Sequence, residues 1–346
     1  MMGGDHAPGA VVAGALEAVQ ERPVPLLLVG QATRIESELR RLGAPEKDSR
    51  RDFFEIVHSD EVVGMDEPPT TSVRRKKGSS VRVCAELVHH RRAGSMVTAG
   101  NTGAALVAAK VVLGTIQGVD RPALAAEMPN PHGRTLVLDV GANVATRASH
   151  LQQFAIMGHF YTQLVRHVAE PRIGLMSIGE EDSKGTGLTR EVSRVLRGTG
   201  LHFVGNVEGR DVFNGKVDVV VCDGFVGNVL LKGAEEVAEL VATMLNQELE
   251  RTARTRLGAM LAQPAFDRLS RRIDYREYGA GPMLGLNGGC FIAHGRSNAT
   301  AIRSSILRAA EFAETQVHIK IRQKVSQLRS GATYDDSGPR SATSSA

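Results

Sequence analysis

Six short loops in this 346-residue chain combine glycine with side chains that can hydrogen-bond an anion. Glycine lets the backbone approach a ligand closely, and Asn, Thr, Asp and Lys supply polar contacts. The loop at Asn101 and Thr102 also opens a segment of helical period, where unpaired N–H groups and the positive end of the helix dipole favour phosphate. Six such loops together indicate an anionic ligand. They span residues 3–6, 100–103, 139–143, 179–185, 205–210 and 223–228.

The sequence contains none of the common cofactor or metal motifs. No predicted strand is followed by G-x-G-x-x-G, no P-loop spacing occurs, and neither H-E-x-x-H nor G-x-S-x-G is present. The cysteines, Cys84, Cys222 and Cys290, lie far apart without the spacing of zinc ligands. We therefore predict no cofactor and no metal. We interpret Cys222 as a buried structural residue, because the carboxylate of Asp223 disfavours a thiolate nucleophile next to it.

The elements that must position these loops are apolar runs of strand length that alternate with segments of helical period. This alternation is typical of a sheet covered by helices. It predicts an α/β layered fold with a parallel sheet covered by helices. In such sheets ligands bind beyond the carboxyl ends of the strands. The predicted strands are 24–29, 53–58, 95–98, 135–140, 172–178, 202–206, 217–222 and 289–294.

The two ends of the chain carry separate expectations. Residues 3–6 have the character of a strand-to-helix loop, with Pro8 near the first turn of a helix, yet no strand precedes them. Either the domain begins with a helix or a first strand is missing from the chain, and we favour the missing strand. Residues 331–346 are rich in Ser, Gly and Thr and are predicted to be disordered.

Positive charge is concentrated in one segment. The formal net charge is +4, and residues 251–276 alone contain seven Arg against two Asp. Helical patterns on both sides of a break at 257–262 predict a helical hairpin over 234–276, whose tip carries Leu257, Met260 and Leu261. This tip suits an anionic membrane surface or packing against a dimer mate or the domain core. With only 4% aromatic residues and no apolar run near the roughly 20 residues of a membrane span, we expect a cytosolic protein that does not bind nucleic acid.

As a set, the motifs closely resemble the bacterial phosphate acyltransferase family of phospholipid synthesis. The match is ordered along the chain and covers about residues 2 to 325. It rests on MGGDHAP at 2–8, AGNTGA at 99–104, DVGAN at 139–143, IGEEDSKG at 178–185, FVGNVEGRD at 203–211, VCDGFVGN at 221–228 and LGLNG at 284–288.

The resemblance implies a three-layer α/β/α fold with a mainly parallel sheet, related to phosphotransacetylases and isocitrate dehydrogenases. It implies one catalytic domain over residues 1–330, and a homodimer. It implies reversible transfer of a long-chain acyl group from acyl-acyl carrier protein to inorganic phosphate, giving acyl phosphate. It also implies peripheral association with the inner face of the plasma membrane, beside a downstream membrane glycerol-3-phosphate acyltransferase, which favours the membrane interpretation of the hairpin tip.

The sequence departs from this family in three places. Only Met1 stands before the first motif, where the family has a strand. Residues 278–282 are Tyr-Gly-Ala-Gly-Pro, which changes the family's usual order Gly-Gly-Ala-Pro, and Arg296 replaces a small serine.

The chemistry of the reaction fits these residue types. Phosphate is already nucleophilic at neutral pH and a thiolate is a good leaving group, so the site needs no strong general base. It must hold two anions and stabilise an oxyanion. We expect Asn101, Thr102 and Lys184 to bind phosphate, and Asn206 and Asn228 to contact the thioester oxygen. We expect Asp139, Asn143 and Asp223 to orient them, and His6 to protonate the leaving sulfur.

The predicted catalytic residues are Lys184, Asn228, His6 and Asp223. The predicted phosphate- and substrate-binding residues are Gly3, Gly4, Asp5, Asn101, Thr102, Gly103, Asp139, Asn143, Asn206, Arg210 and Asn287. Three other functions stay open: a short-chain phosphotransacetylase that uses coenzyme A, a nicotinamide dehydrogenase, and a non-catalytic membrane scaffold. The sequence shows neither the nucleotide site nor the metal carboxylates that the dehydrogenase would need.

Overall fold

The computed structural model describes residues 1–273 and 279–331. The end of the predicted hairpin (274–276), Tyr278 and the tail from residue 332 lie outside the described residues. The strands are β1 (Leu26–Gly30), β2 (Phe54–His58), β3 (Ser95–Thr98), β4 (Ala123–Asn130), β5 (Gly133–Leu138), β6 (Ile173–Met176), β7 (Phe203–Val207), β8 (Val219–Val221), β9 (Gly281–Leu284) and β10 (Gly289–Ile292).

The helices alternate with these strands along the chain. They are α1 (Gly9–Glu21), α2 (Ala32–Arg41), α3 (Pro69–Arg75), α4 (Ser80–His89), α5 (Thr102–Leu113), α6 (Ala148–Leu164), α7 (Gly187–Arg197), α8 (Asp211–Asn214), α9 (Gly224–Glu250), α10 (Ala253–Ile273), α11 (Ala299–Thr315) and α12 (Val317–Gly331), with a short 3-10 helix at Ser49–Phe53.

The strands form two sheets. β1 and β2 pair in parallel, and the other eight form one sheet in the order β3-β10-β9-β4-β5-β8-β6-β7. All eight predicted strands are present, and most pairings are parallel, so the predicted three-layer α/β fold is confirmed. The sequence analysis does not predict β4 and β9. Both contain a proline and lack β-branched residues, so their local sequence does not favour a strand.

These two strands reverse the direction of the sheet. β4 pairs antiparallel with both β9 and β5, and β9 pairs antiparallel with β10. Consequently β3 and β10 end at the edge of the sheet where β4 ends. β5, β8, β6 and β7 end at the edge where β4 begins. The loops that follow the strands therefore divide between two edges, which we call the first edge and the second edge.

The centre of the core lies under α6. Phe154, Met157 and Tyr161 of this helix are fully buried, as is the whole of β8. Fully burying a side chain of this size contributes about 2–3 kcal/mol. The loops after β5 and β8 are therefore attached to the best-packed strands of the sheet.

A cavity of about 640 Å³ separates β1 from β3. Each of these strands pairs on one side only, β1 with β2 and β3 with β10. Leu28, Met96 and Ile302 line the cavity, and the ammonium of Met1 donates a hydrogen bond to the Val29 carbonyl at 2.9 Å. Burial lowers the pKa of that ammonium. We propose that this cavity is the place of the first strand that the sequence analysis expects.

α9 and α10 form the predicted helical hairpin, with one correction. The chain turns at Arg251 and Thr252, and residues 257–262 lie within α10, so the predicted break at 257–262 is wrong. The Thr252 hydroxyl accepts the N–H of Thr255 at 3.1 Å, and this cap starts α10 before the apolar residues. Leu257, Met260 and Leu261 are 58%, 72% and 78% exposed on its first turns. Among the described residues, no helix has the length and apolar character to cross a bilayer.

Candidate functional site

Asp139 holds together the loop that follows β5. Its carboxylate accepts hydrogen bonds from the N–H groups of Gly141, Ala142 and Asn143 at 3.2, 3.0 and 2.6 Å, and from the Asn143 side chain at 2.8 Å. It also accepts the N–H of Leu124 at 3.1 Å. Burial raises the pKa of the Asp139 carboxyl, and these donors oppose the rise. Because Asp139 is fully buried, it shapes the loop from inside the protein.

Two contacts fix the start of α9 against this loop. Asp223 Oδ1 accepts the N–H groups of Phe225 and Val226, both at 2.9 Å, which makes Asp223 a helix N-cap. The N–H of Gly224 donates to the carbonyl of Asn143 at 2.8 Å. These three N–H groups are therefore occupied within the protein rather than offered to an anion.

Asn228 is the polar side chain that α9 places beside the β5 loop. Its Oδ1 lies 3.6 Å from the position of a Cβ built on Gly141. The side chain is exposed and has no hydrogen-bond partner among the described residues. β8 lies between β5 and β6 in the sheet. The loop that leads to Asn228 is therefore flanked by the β5 loop on one side and by the β6 loop, which carries Lys184, on the other.

Asn206 holds the β6 loop. Its amide Nδ2 donates to the carbonyl of Glu181 at 3.0 Å, and the Lys184 N–H donates to the same carbonyl at 3.0 Å. Asn206 Oδ1 is buried without a partner among the described residues. An amide oxygen only accepts hydrogen bonds, so this atom cannot donate one to an oxyanion. Asn206 therefore positions the loop. Lys184 itself is exposed, and no described carboxylate forms an ion pair with it.

Arg210 and Asn287 are also engaged within the protein. The guanidinium of Arg210 lies 3.3 Å from Glu180 and 3.4 Å from Glu208 in an exposed ion-pair cluster. Asn287 Nδ2 donates to the carbonyls of Leu113 and Thr115 at 3.3 and 2.8 Å, which ties the β9–β10 connection to the end of α5. Cys222 is buried, and burial raises the pKa of its thiol, as expected for a structural cysteine.

At the first edge, the loops pack directly on one another. The Asp5 N–H donates to the Gly295 carbonyl at 2.9 Å. A Cβ on Gly4 would lie 2.5 Å from the carbonyl oxygen of Ala99, so only glycine fits between the β3 and β10 loops. His6 is exposed beside them.

Asn101 holds a loop in place at the first edge, as Asn206 does at the second edge. Its Nδ2 lies 3.1, 2.9 and 3.1 Å from the carbonyls of Gly64, Met65 and Glu67, and its Oδ1 caps α5 by accepting the Ala104 N–H at 3.0 Å. The side chain is therefore committed to holding the 64–67 loop. The N–H groups of Thr102 and Gly103 donate to no other described residue, so α5 keeps two donors for an anion.

The predicted site residues thus form two groups. The first-edge group is Gly3, Gly4, Asp5, His6, Asn101, Thr102 and Gly103. The second-edge group is Asp139, Asn143, Lys184, Asn206, Arg210, Asp223 and Asn228. Within the described ranges no hydrogen bond or ion pair joins the two groups. Asn287, on the connection that follows β9, lies at the second edge but is bonded to the end of α5. The sequence analysis missed the 64–67 loop, because it contributes backbone carbonyls, which leave no signal in side-chain type.

The comparisons with known proteins agree with this architecture. Residues 1–320 match the family model described as "Fatty acid synthesis protein". The phosphate acyltransferase of Geotalea uraniireducens (strain Rf4) is 46% identical over 326 residues, which cover 94% of this chain and 93% of the relative. That of Citrifermentans bemidjiense is 45% identical over 345 residues, which cover 98% and 97%. This chain belongs to the phosphate acyltransferase family.

As a member of that family, the chain is an acyltransferase. Solved structures share its fold at low sequence identity. A phosphotransacetylase from Streptococcus pyogenes has a TM-score of 0.56 at 17% identity and covers 92% of each chain. A branched-chain phosphotransacylase from Enterococcus faecalis V583 has a TM-score of 0.55 at 15% identity and covers 90% of this chain and 99% of its own. This phosphate acyltransferase family member therefore has the phosphotransacetylase fold that the resemblance implies.

Proposed function

We propose that this protein reversibly transfers a long-chain acyl group from acyl-acyl carrier protein to inorganic phosphate, giving acyl phosphate for phospholipid synthesis. One observation carries the proposal: Lys184 on the β6 loop and Asn228 in the first turns of α9 have no partner among the described residues, and they lie on either side of the β8–α9 connection, beside a β5 loop that Asp139 holds in one shape. A cation and a neutral amide at that place suit a phosphate nucleophile and a thioester carbonyl.

In the proposed reaction a phosphate oxygen attacks the thioester carbonyl carbon and forms a new C–O bond. The carbonyl oxygen carries negative charge in the tetrahedral intermediate, and the Asn228 amide donates a hydrogen bond to it. The C–S bond then breaks, and the thiolate leaves and takes up a proton from solvent, because His6 lies with the first-edge group at the other edge of the sheet. Lys184 holds the attacking phosphate, and the free N–H groups at Thr102 and Gly103 form a separate anion site at the first edge.

The first test is phosphate-dependent release of free carrier-protein thiol from palmitoyl-acyl carrier protein. Lys184→Ala and Asn228→Ala should each lower kcat/KM by about 100-fold. The matched exposed variants Lys47→Ala and Asn246→Ala should stay within twofold of the unmodified protein. Near-normal turnover in both site variants would refute the assignment of Lys184 and Asn228. Absence of release by the unmodified protein would refute the proposed reaction itself.

The same assay separates the remaining candidates. Palmitoyl-coenzyme A and acetyl-coenzyme A serve as alternative donors, and a phosphotransacetylase would prefer a coenzyme A thioester to the carrier-protein thioester. A membrane scaffold would bind vesicles without any phosphate-dependent release, and a dehydrogenase would bind a nicotinamide cofactor.

We further propose a homodimer and peripheral attachment to the membrane. α9 exposes a row of apolar side chains at helical spacing, here called the α9 stripe: Val229, Val237, Leu240, Val241 and Met244. A second copy that covers this stripe removes it from water, and sedimentation equilibrium should then give twice the 37.0 kDa chain mass. The exposed tip residues Leu257, Met260 and Leu261 would contact the lipid.

A further inference from the structure

A strongly basic segment lies beside the first edge. Residues 69–92 contain seven Arg and Lys residues and a single acidic residue, Glu86. Four of the basic residues are consecutive, Arg74 to Lys77, at the end of α3. No other run of consecutive Arg and Lys residues in the sequence is longer than two, so a run of four is a distinct feature of this surface.

Three of these four cations have no carboxylate partner among the described residues. Lys76 is the exception, because its ammonium donates to Glu67 at 2.6 Å and to the carbonyl of Val62 at 2.7 Å. Arg74, Arg75 and Lys77 are exposed. We call these three residues the α3 patch. Like charges held together in water without counter-charges favour contact with an acidic surface.

The α3 patch is held rigidly against the helix that begins at the first edge. Val73 is buried with Ala104 and Ala108 of α5. At the other end of α3, Pro69 packs so closely on α5 that a Cβ on Gly103 would lie 2.5 Å from its Cγ. The Asn101 amide and the Lys76–Glu67 ion pair fix the connecting 64–67 loop. The patch is therefore pre-organised, which lowers the entropic cost of binding a partner.

We propose that the α3 patch docks the acidic carrier protein that delivers the acyl thioester. This inference rests on the proposed function, because only a protein-borne donor presents an acidic surface together with the thioester. Met65, 42% exposed on the 64–67 loop, adds an adaptable apolar contact between the patch and the first-edge group. Docking there places the carrier beside the free N–H groups of Thr102 and Gly103.

The test compares two double variants. The α3 variant carries Arg74→Glu and Arg75→Glu, and the matched control carries Arg40→Glu in α2 and Lys47→Glu in the segment after it. Both change the net charge equally at exposed positions. At 50 mM salt, the α3 variant should raise KM for palmitoyl-acyl carrier protein about tenfold with little change in kcat, and the difference should shrink at 500 mM salt. With palmitoyl-pantetheine, which has no protein surface, the two variants should have equal kcat/KM. Equal melting temperatures exclude a folding defect.

Surface plasmon resonance with the carrier protein lacking an acyl group separates this inference from the proposed reaction. Loss of carrier binding in the α3 variant alone supports the docking surface, even if the unmodified protein shows no turnover. Turnover by the unmodified protein with an unchanged KM in the α3 variant overturns the docking surface while the reaction stands. Failure of the unmodified protein to bind the carrier also overturns it. The docking surface is also overturned if the α3 variant changes only the flotation with phosphatidylglycerol vesicles and leaves carrier binding and KM unchanged.

Discussion

The carbonyl oxygen of Asp139 lies 1.9 Å from the position that a Cβ on Gly227 would occupy. α9 therefore packs directly on the backbone at the end of β5, with no room for any side chain between them. This contact sets the distance between Asn228, the next residue of the helix, and the β5 loop. The geometry of the proposed site depends on a glycine that bears no reacting group.

Replacing Gly227 with alanine should destabilise the fold by about 3 kcal/mol or more, because α9 must move away from a backbone oxygen. Urea denaturation measures the loss. Gly233→Ala is the matched control, since nothing lies within 4 Å of its added Cβ in the same helix. This control should be neutral or stabilising by up to about 1 kcal/mol. Equal stability of the two variants would show that α9 does not pack as described.

Asn101 and Thr102 should separate into a positioning residue and a binding residue. Asn101→Ala removes the α5 cap and the contacts to the 64–67 loop, so it should lower the free energy of unfolding by about 2–3 kcal/mol. Thr102→Pro removes the free N–H at the first helical position, where proline is tolerated, so it should change stability by less than about 0.5 kcal/mol and should weaken phosphate binding there about threefold or more. Unfolding curves and phosphate titrations of both variants check this. A fully stable Asn101→Ala protein would contradict the structural role.

The Glu67–Lys76 ion pair should make stability depend on acid pH. Hydrogen bonds from the Lys76 ammonium and the Gly64 N–H lower the pKa of the Glu67 carboxyl from 4.5 to about 2. Because the pKa of Glu67 is lower in the folded protein than in the unfolded chain, its ionised carboxylate stabilises the fold above about pH 4.5. This stabilisation is lost as the pH falls from about 4.5 towards 2. Glu67→Gln should therefore lower the melting temperature at pH 7, with a difference that shrinks below pH 4.5. Asp66→Asn, next to it in the chain, is the control for loss of a carboxylate from this loop.

The cavity between β1 and β3 should accept an apolar strand. Five Val and Ile residues joined ahead of Met1 should pair with both strand edges and raise the melting temperature by about 5 °C or more. Five Gly and Ser residues at the same place supply the matched control and should give no rise. If both extensions behave alike, the cavity is not the place of a strand.

The hairpin tip should carry the proposed membrane contact. Leu257→Asp, Met260→Asp and Leu261→Asp together should reduce flotation with phosphatidylglycerol vesicles at least about tenfold, because apolar burial and attraction to anionic lipid are both lost. Asn246→Asp with Gln247→Asp adds acidic charge to exposed polar positions of α9 and should float normally. Unchanged flotation of the tip variant would refute the membrane contact.

The polar site residues illustrate where prediction from sequence ends. The sequence analysis assigns Asn101 and Asn206 to substrate, yet both amides hold backbone carbonyls of loops distant from them in the chain, at 64–67 and at 181. An amide has the same composition whether it faces a ligand or a loop. Only the folded arrangement shows that Lys184, Asn228 and the N–H groups at Thr102 keep free polar atoms.

The amino-acid sequence by itself determined the α/β architecture, all eight predicted strands and the family, because runs of apolar residues and glycine-rich loops are local signals. The tertiary structure alone decided how those loops are grouped. β4 and β9 have weak strand propensity and pair antiparallel only because neighbouring strands supply their hydrogen bonds, and that reversal sends the loops to two edges. Pairing between strands far apart in the chain is a property of the whole sheet, which no local pattern encodes.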